Sequence, residues 1–253
     1  LTISGNGITV FDSMTLNHFI TVFWVIGIMN ALNMLDNMDG VAAVTAINII
    51  IASLCALYFF REESRGIYAI MLAGTLAALS GFLVFNWHPS KMYMGDTGSQ
   101  FLGILLAATG IYCFWNAGSV PDVEDASVSL SSSLFLPYRN TILAVLVFIL
   151  PIIDTTAVVL NRLRKKQSPF IGGKDHTTHS LVRAGLTDTQ VALLFSVVSF
   201  LSVILAVIVI ACIPSWGLPH TLIFSAYILA MLTGLLYFTF TKPAPPDAPH
   251  QNP

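Results

Sequence analysis

The chain has 253 residues, 55% of them hydrophobic and only 9% charged, with a mean hydropathy of +0.79 and a net charge of −2 at pH 7. A soluble domain carries about a quarter charged residues, so most of this surface does not face water. No basic arm or stripe is present, so nothing points to nucleic acid, and the long apolar runs place the chain among all-α polytopic membrane proteins.

The opening "LTISGNGITVFD" holds no Lys or Arg and is not the n-region of a signal peptide. It starts with Leu, and the expectation is a fragment of a longer protein. Seven apolar runs are about long enough to span a bilayer: 16–35, 41–60, 67–87, 100–117, 140–163, 190–213 and 219–240. Cys55, Cys113 and Cys212 fall within such runs, form no CxxC, and read as buried free thiols.

Between the first two runs lies "NALNMLDNMDGVAAV", residues 30–44. On a helix, Asp36 and Asp39 at i and i+3 share a face, with Asn33 one turn back. Ionisable groups at a membrane edge are costly and usually face a polar cavity. They read as holding a cation or polar substrate atoms, or else as an exposed turn.

The third run ends in "FNWHPSKMYMGDTGSQFLG", residues 85–103. Gly95 and Gly98 let the backbone approach a ligand. Thr97 or Ser99 is expected to cap a helix starting near Gln100, whose free N–H groups favour phosphate. Asp96 beside it suits Mg2+ bridging carboxylate and phosphate. Lys91 offers a point charge and Tyr93 a ring for stacking. A capped turn without a ligand is the plainer reading.

The fifth run contains "LPIIDTTAVVLNRLRKK", residues 150–166. Asp154 lies deep enough to need a partner or to face the site. Pro151 is expected to kink the helix. The cluster Arg162, Arg164, Lys165 and Lys166 reads as a positive-inside anchor. "FIGGKDHTTHSLVRAGLT", residues 170–187, follows. His176 and His179 share a face if it is helical. Hydrogen bonds to a diphosphate, a zinc site and a surface loop are the three readings, zinc being disfavoured for want of further ligands. The last two runs read as packing elements. The Pro-rich segment 242–253 is expected to be a disordered cytoplasmic tail, set apart from a transmembrane domain over 1–241.

Alternate crossings put 36–40, 88–99, 164–189 and the tail on one side. That side holds eight of the eleven Lys and Arg residues. The positive-inside rule makes it cytoplasmic, and all three polar motifs fall there.

Together these motifs resemble the polyprenyl-phosphate N-acetylhexosamine-1-phosphate transferase family, also called glycosyltransferase family 4, in its bacterial WecA-like branch. "NALNMLDNMDG" is similar to the family's N-A-x-N-x-x-D-x-x-D-G. "FNWHPSKMYMGDTGSQFLG" is similar to F-N-x-x-P-x-K-x-F-M-G-D-x-G-S-x-x-L-G, and "PIIDTTAVVLNR" to P-x-x-D-T-x-x-V-x-x-x-R. The resemblance runs from about residue 20 to about residue 187. It implies a helical bundle of ten or eleven spans in the bacterial inner membrane, with its active site on the cytoplasmic face. It implies Mg2+-dependent transfer of an N-acetylhexosamine-1-phosphate, in the first place GlcNAc-1-phosphate, from a UDP-sugar to undecaprenyl phosphate. UMP is released and cell-envelope glycan synthesis begins. Mn2+ is a substitute metal, and a homodimer stays open.

Carried over by motif, Asp96 binds the metal. Asp96, His176, His179 and Lys91 are the catalytic set. Asn33, Asp36, Asp39, Asn86, Tyr93 and Asp154 are substrate-binding, with Tyr93 at the uracil. Two departures stand out. Thr178 occupies the middle His position of the family's H-x-H-H, and the MraY-like branch has a different histidine signature again. The family's D-D-x-x-D is absent, for no Asp-Asp pair occurs in the chain. The expectation is therefore that N-terminal spans are missing and that this piece alone is inactive. An inactive paralogue and a transporter of a charged solute remain as alternatives. A CDP-alcohol phosphatidyltransferase is set aside, because "VAAVTAIN" after Gly40 lacks the Arg that its motif needs.

Overall fold

A computed structural model describes residues 7–11, 13–60, 65–117, 130–168 and 176–241. The described residues are helical and contain no strand. In chain order they form α1 (Met14–Leu35), α2 (Val41–Phe60), α3 (Arg65–Asn86), α4 (Gly95–Gly110), α5 (Leu130–Val147), α6 (Ile149–Arg164), α7 (Thr177–Arg183), α8 (Asp188–Cys212) and α9 (Leu218–Thr241). A π-helical turn, Ile111–Trp115, continues α4. The tail 242–253 and the positions Arg61 and Lys174 lie outside the described residues.

Six of these elements are long and apolar enough to cross a membrane, the fourth being α4 with its π-turn. The run 140–163, expected as one span, is instead two helices, α5 and α6, meeting at a 79° bend. Counted as one broken span, the pair makes seven. The bend has a backbone cause. Pro151 has no N–H, so the carbonyl of Val147 loses its i+4 donor, and the chain turns at Phe148 (φ −100°, ψ 23°). Pro151 itself sits in the first turn of α6, where a proline is tolerated.

The core forms where α1, α4 and the bend meet. Trp24 of α1 donates Nε1–H to the carbonyl of Ala107 at 3.0 Å. Its ring packs edge-on against Trp115 and Phe148, with centroids 5.3 and 5.0 Å apart. Small residues make this possible. A Cβ on Gly103 would lie 2.7 Å from Met29 Cα, and one on Gly110 would lie 2.9 Å from the Phe148 ring. The two helices thus touch backbone to backbone. Outward faces stay apolar and exposed, as lipid contact requires: Ile67, Ile70 and Val84 on α3, Leu222, Ile223 and Leu229 on α9.

The last two spans are more than outer packing. Thr239 of α9 lies fully buried and donates its hydroxyl to Thr177 of α7 at 3.4 Å. Thr187 caps α8 in a reciprocal box with Gln190. Of the three cysteines only Cys113 is buried. Cys55 is half-buried and Cys212 exposed, against the reading of three buried thiols.

The α1–α4 approach gives a direct prediction. Gly103→Ala forces its methyl group onto the Met29 backbone, which cannot move aside as a flexible side chain would. Overpacking of this kind costs about 1–3 kcal/mol. The melting temperature in detergent should fall, and Gly27→Ala, with nothing within 4 Å, should leave it unchanged.

Candidate functional site

The site grows from the C-terminal end of α1. The helix stops at Leu35 because Asp36 leaves helical geometry (φ −76°, ψ 40°), and Gly40 reverses the chain at φ +76° before α2. Asp36 and Asp39 therefore stand on a turn and not on one helical face as expected. Asn33, in the last turn of α1, donates Nδ2–H to Asp96 Oδ1 at 3.2 Å and to Ser99 Oγ at 2.9 Å.

Asp96 comes from α4, which begins one turn earlier than expected. Its first residue is Gly95, at φ +69°, with no side-chain cap. Ser99, expected as a cap, turns its hydroxyl back to the carbonyl of Gly95 at 3.0 Å. Asp96 thus occupies the first turn, where the helix dipole favours negative charge.

The loop between α3 and α4 is tied to the α1–α2 turn. The amide oxygen of Asn86 accepts from Gly40 N–H at 3.1 Å, and its Nδ2 donates to the carbonyl of Met92 at 2.8 Å. Asn86 is buried and holds the loop to the turn. Asp39 Oδ2 accepts from Ser90 N–H at 3.0 Å and lies 3.0 Å from His88 Nδ1. Lys91 and Tyr93 stand on the same loop, exposed, Tyr93 by 75%.

The histidine motif forms the rear of the site. Asp154 of α6, expected to face a substrate, is shut in at 1% exposure. Its Oδ2 lies 2.9 Å from His176 Nδ1, and its Oδ1 accepts from Thr177 N–H at 2.8 Å. The His176 and His179 rings sit 6.2 Å apart, centroid to centroid. Thr178, at the family's middle His position, is fully buried and donates its hydroxyl to Asn37 Oδ1 at 2.6 Å. That bond spans 141 residues and latches α7 to the turn that carries Asp36 and Asp39.

All ten sequence-selected residues thus lie on three segments that meet at one end of the bundle, together with α6. Asn37, His88 and Ser90 were missed, and Ser99 was read only as a helix cap. His88 beside a proline and Asn37 between two aspartates were visible as polar residues within the motifs, but nothing in their spacing names their partners.

Electrostatics set the front of the site apart. Burial first, then the negative charges of Asp96 and Asp39, push the Asp36 carboxyl up from its ordinary 3.8 to about 6. Among the described residues no three His, Cys, Asp or Glu side chains stand together as a ready metal cage. Repelling carboxylates that need a counter-charge do fit Mg2+, a hard cation that commonly takes one or two carboxylates and keeps its waters.

Two expectations follow. Because the folded-state pKa of Asp36 is raised, its stability contribution is complete below pH 3.8 and is lost as pH rises through about 6. In metal-free buffer the melting temperature should carry a declining component over that window, and Asp36→Asn should remove it. Thr178→Val, nearly isosteric, should cost about 1–3 kcal/mol by leaving Asn37 Oδ1 without its donor. In a denaturation double-mutant cycle, Asn37→Ala should add little on top of it.

The family described as "Glycosyl transferase family 4" matches residues 2–114. A Bacillus subtilis protein named "Probable undecaprenyl-phosphate N-acetylglucosaminyl 1-phosphate transferase" is 31% identical over 233 residues, covering 88% of this chain and 58% of that protein. The "Decaprenyl-phosphate N-acetylglucosaminephosphotransferase" of Mycobacterium leprae is 30% identical over 128 residues, 51% of this chain and 30% of its own. The "Phospho-N-acetylmuramoyl-pentapeptide-transferase" of Streptococcus sanguinis is 39% identical over 93 residues, 37% of this chain and 28% of its own. The chain spans little more than half the length of the Bacillus relative and under a third of the other two. With the polar motifs gathered at one end of an all-helical membrane bundle, the chain is similar to glycosyl transferase family 4 over residues 2–114 and to the Bacillus protein over most of its length.

Proposed function

We propose that the protein transfers an N-acetylhexosamine-1-phosphate, GlcNAc-1-phosphate in the first place, from its UDP-sugar to undecaprenyl phosphate and releases UMP. The reaction is Mg2+-dependent and takes place at the cytoplasmic face of a bacterial inner membrane. It begins a cell-envelope glycan.

One observation carries this reading. An open apolar groove of about 390 Å³ runs between α1 and α6, and the same α1 leads at its C-terminal end into the acidic turn. Phe23, Gly27 and Ala31 line one wall, and Ile152, Val159 and Leu160 the other. The α1 wall ends at Ala31, two residues before Asn33. An acceptor with a long apolar tail and an anionic head needs this juxtaposition: hydrocarbon contact beside the bilayer, and charge chemistry at its edge.

The roles follow from the contacts. Asn33 and Ser99 hold Asp96 in orientation. Asp39, fixed by Ser90 and His88, contacts the uridine, and exposed Tyr93 stacks on the uracil. Lys91, His176 and His179 meet the diphosphate and the sugar. Asp96, with Asp36 near it, would hold Mg2+, which would supply charge neutralisation on the diphosphate. An oxygen of the lipid phosphate attacks the sugar-linked phosphorus. The new P–O bond forms as the bond to the UMP oxygen breaks, and UMP leaves with that electron pair. Catalysis is positioning plus electrostatic stabilisation.

A muramoyl-pentapeptide donor is the second reading, favoured by the Streptococcus match. The test uses the protein expressed from its complete gene. Asp96→Asn should lower Mg2+-dependent UMP release by about 10²–10³-fold. UDP-GlcNAc should be the better donor of the two. Near-normal release by the Asp96→Asn enzyme would overturn the assignment. Faster turnover of the muramoyl-pentapeptide donor would replace it with the second reading.

A further inference from the structure

We infer that Asp154 is a positioning residue, which sets where His176 carries its hydrogen so that Nε2 can exchange a proton with a substrate phosphate. The inference rests on the transferase reading and adds a role to it.

The geometry is specific. Asp154 presents two carboxylate oxygens to two consecutive residues: Oδ2 to His176 Nδ1 at 2.9 Å, Oδ1 to the backbone N–H of Thr177 at 2.8 Å. Asp154 is 1% exposed, His176 6%, and Thr177 not at all. An ionised carboxylate has no hydrogen to give. Oδ1 is already accepting, so Nδ1 must carry the hydrogen, and the neutral ring keeps its lone pair at Nε2. Turning the ring over would break the bond at Nδ1 while Thr177 still anchored the backbone. Thr239 fixes Thr177 from α9, and the Thr178 latch fixes the next residue to the acidic turn. His176 is thus held from both ends of the site.

A merely structural reading fits less well. A buried carboxylate is expensive, and an amide or hydroxyl would accept from Thr177 N–H at lower cost. What only a carboxylate adds is a fixed tautomer and a counter-charge for an imidazolium. The proton balance follows. A singly protonated phosphate monoester gives its proton to the Nε2 lone pair. The phosphate oxygen keeps the O–H electron pair and becomes the nucleophile. Nδ1–H stays in place, and Asp154 faces the imidazolium so formed.

The test reads the tautomer directly, on the protein from its complete gene in nanodiscs. Nitrogen NMR of ¹⁵N-histidine-labelled protein, with His176 assigned by its loss in His176→Gln, should find the neutral ring protonated at Nδ1. In Asp154→Asn the amide can donate to that nitrogen, and the ring should switch to Nε2–H. The same variant should lower kcat by about 10²-fold. The KM for the UDP-sugar should change less than about twofold. In a His176→Gln background Asp154→Asn should cost nothing further. A wild-type ring protonated at Nε2 would overturn the inference. So would a loss that persists without His176, or one that falls on KM. Should Asp154→Asn fail to fold, the wild-type tautomer decides alone. If Asp96→Asn silences the enzyme while the tautomer is wrong, only this inference fails. If Asp96→Asn is active, the transferase reading fails whatever the tautomer.

Discussion

The site depends on one contact, the backbone-to-backbone approach of α1 and α4. Three interactions about one helical turn apart set the register of the pair. Asn33 meets Ser99, Met29 meets Gly103, and Trp24 meets the carbonyl of Ala107. The middle one works because Gly103 has no side chain, so the helices close further than any larger residue would allow. Trp24 then fills the space below and stacks edge-on against Trp115 and Phe148, each such pair worth about 0.5–1.5 kcal/mol beyond burial. Asn33 reaches Asp96 only because the two turns beneath it are locked. A shift by one residue would rotate the amide away from the carboxylate by roughly 100°.

On that platform the protein assembles a cluster it would otherwise disfavour. Asp36, Asp39 and Asp96 repel one another, and burial adds to the cost, as the raised Asp36 pKa records. The structure offsets this with local donors. Asp39 takes two from the loop after α3, and Asp96 takes the Asn33 amide. Asp36 is left with the largest unmet demand. A cation would meet it, and so would a proton near pH 6. The strain sits where the proposed chemistry needs positive charge to be drawn in.

The sequence reading and the structure part at identifiable places. Span number, the gathering of the polar motifs and their residues were legible, because apolar length and buried charge leave strong marks on a sequence. Helix ends were less so. α4 starts at Gly95 and not near Gln100, since a glycine at positive φ can open a helix without the Ser or Thr cap that sequence reading looks for. The bend was foreseen from Pro151 but falls three residues earlier, at Phe148, next to the Val147 carbonyl whose i+4 donor the proline removes. Asp154 read as a site-facing acid because depth in a span says only that a charge needs a partner. Its partners lie 22 and 23 residues away in sequence, a pairing that no periodicity gives. The Thr178–Asn37 latch is the extreme case, a tertiary pairing of two ordinary polar residues.

The bent α6 then joins the groove and the histidine pair in one helix. Ile152, Thr155, Thr156, Val159 and Leu160 recur at helical spacing and form the groove wall. Ile153, Asp154, Ala157, Val158 and Asn161 occupy the opposite, buried face. Bent by 79° from α5, α6 turns one face to the apolar groove beside α1 and the other to the histidine helix. Whatever fills the groove presses on the same short helix that holds His176. The groove wall and the histidine orientation are therefore set by one backbone, and the proline that bends it belongs to the site as much as the acids do.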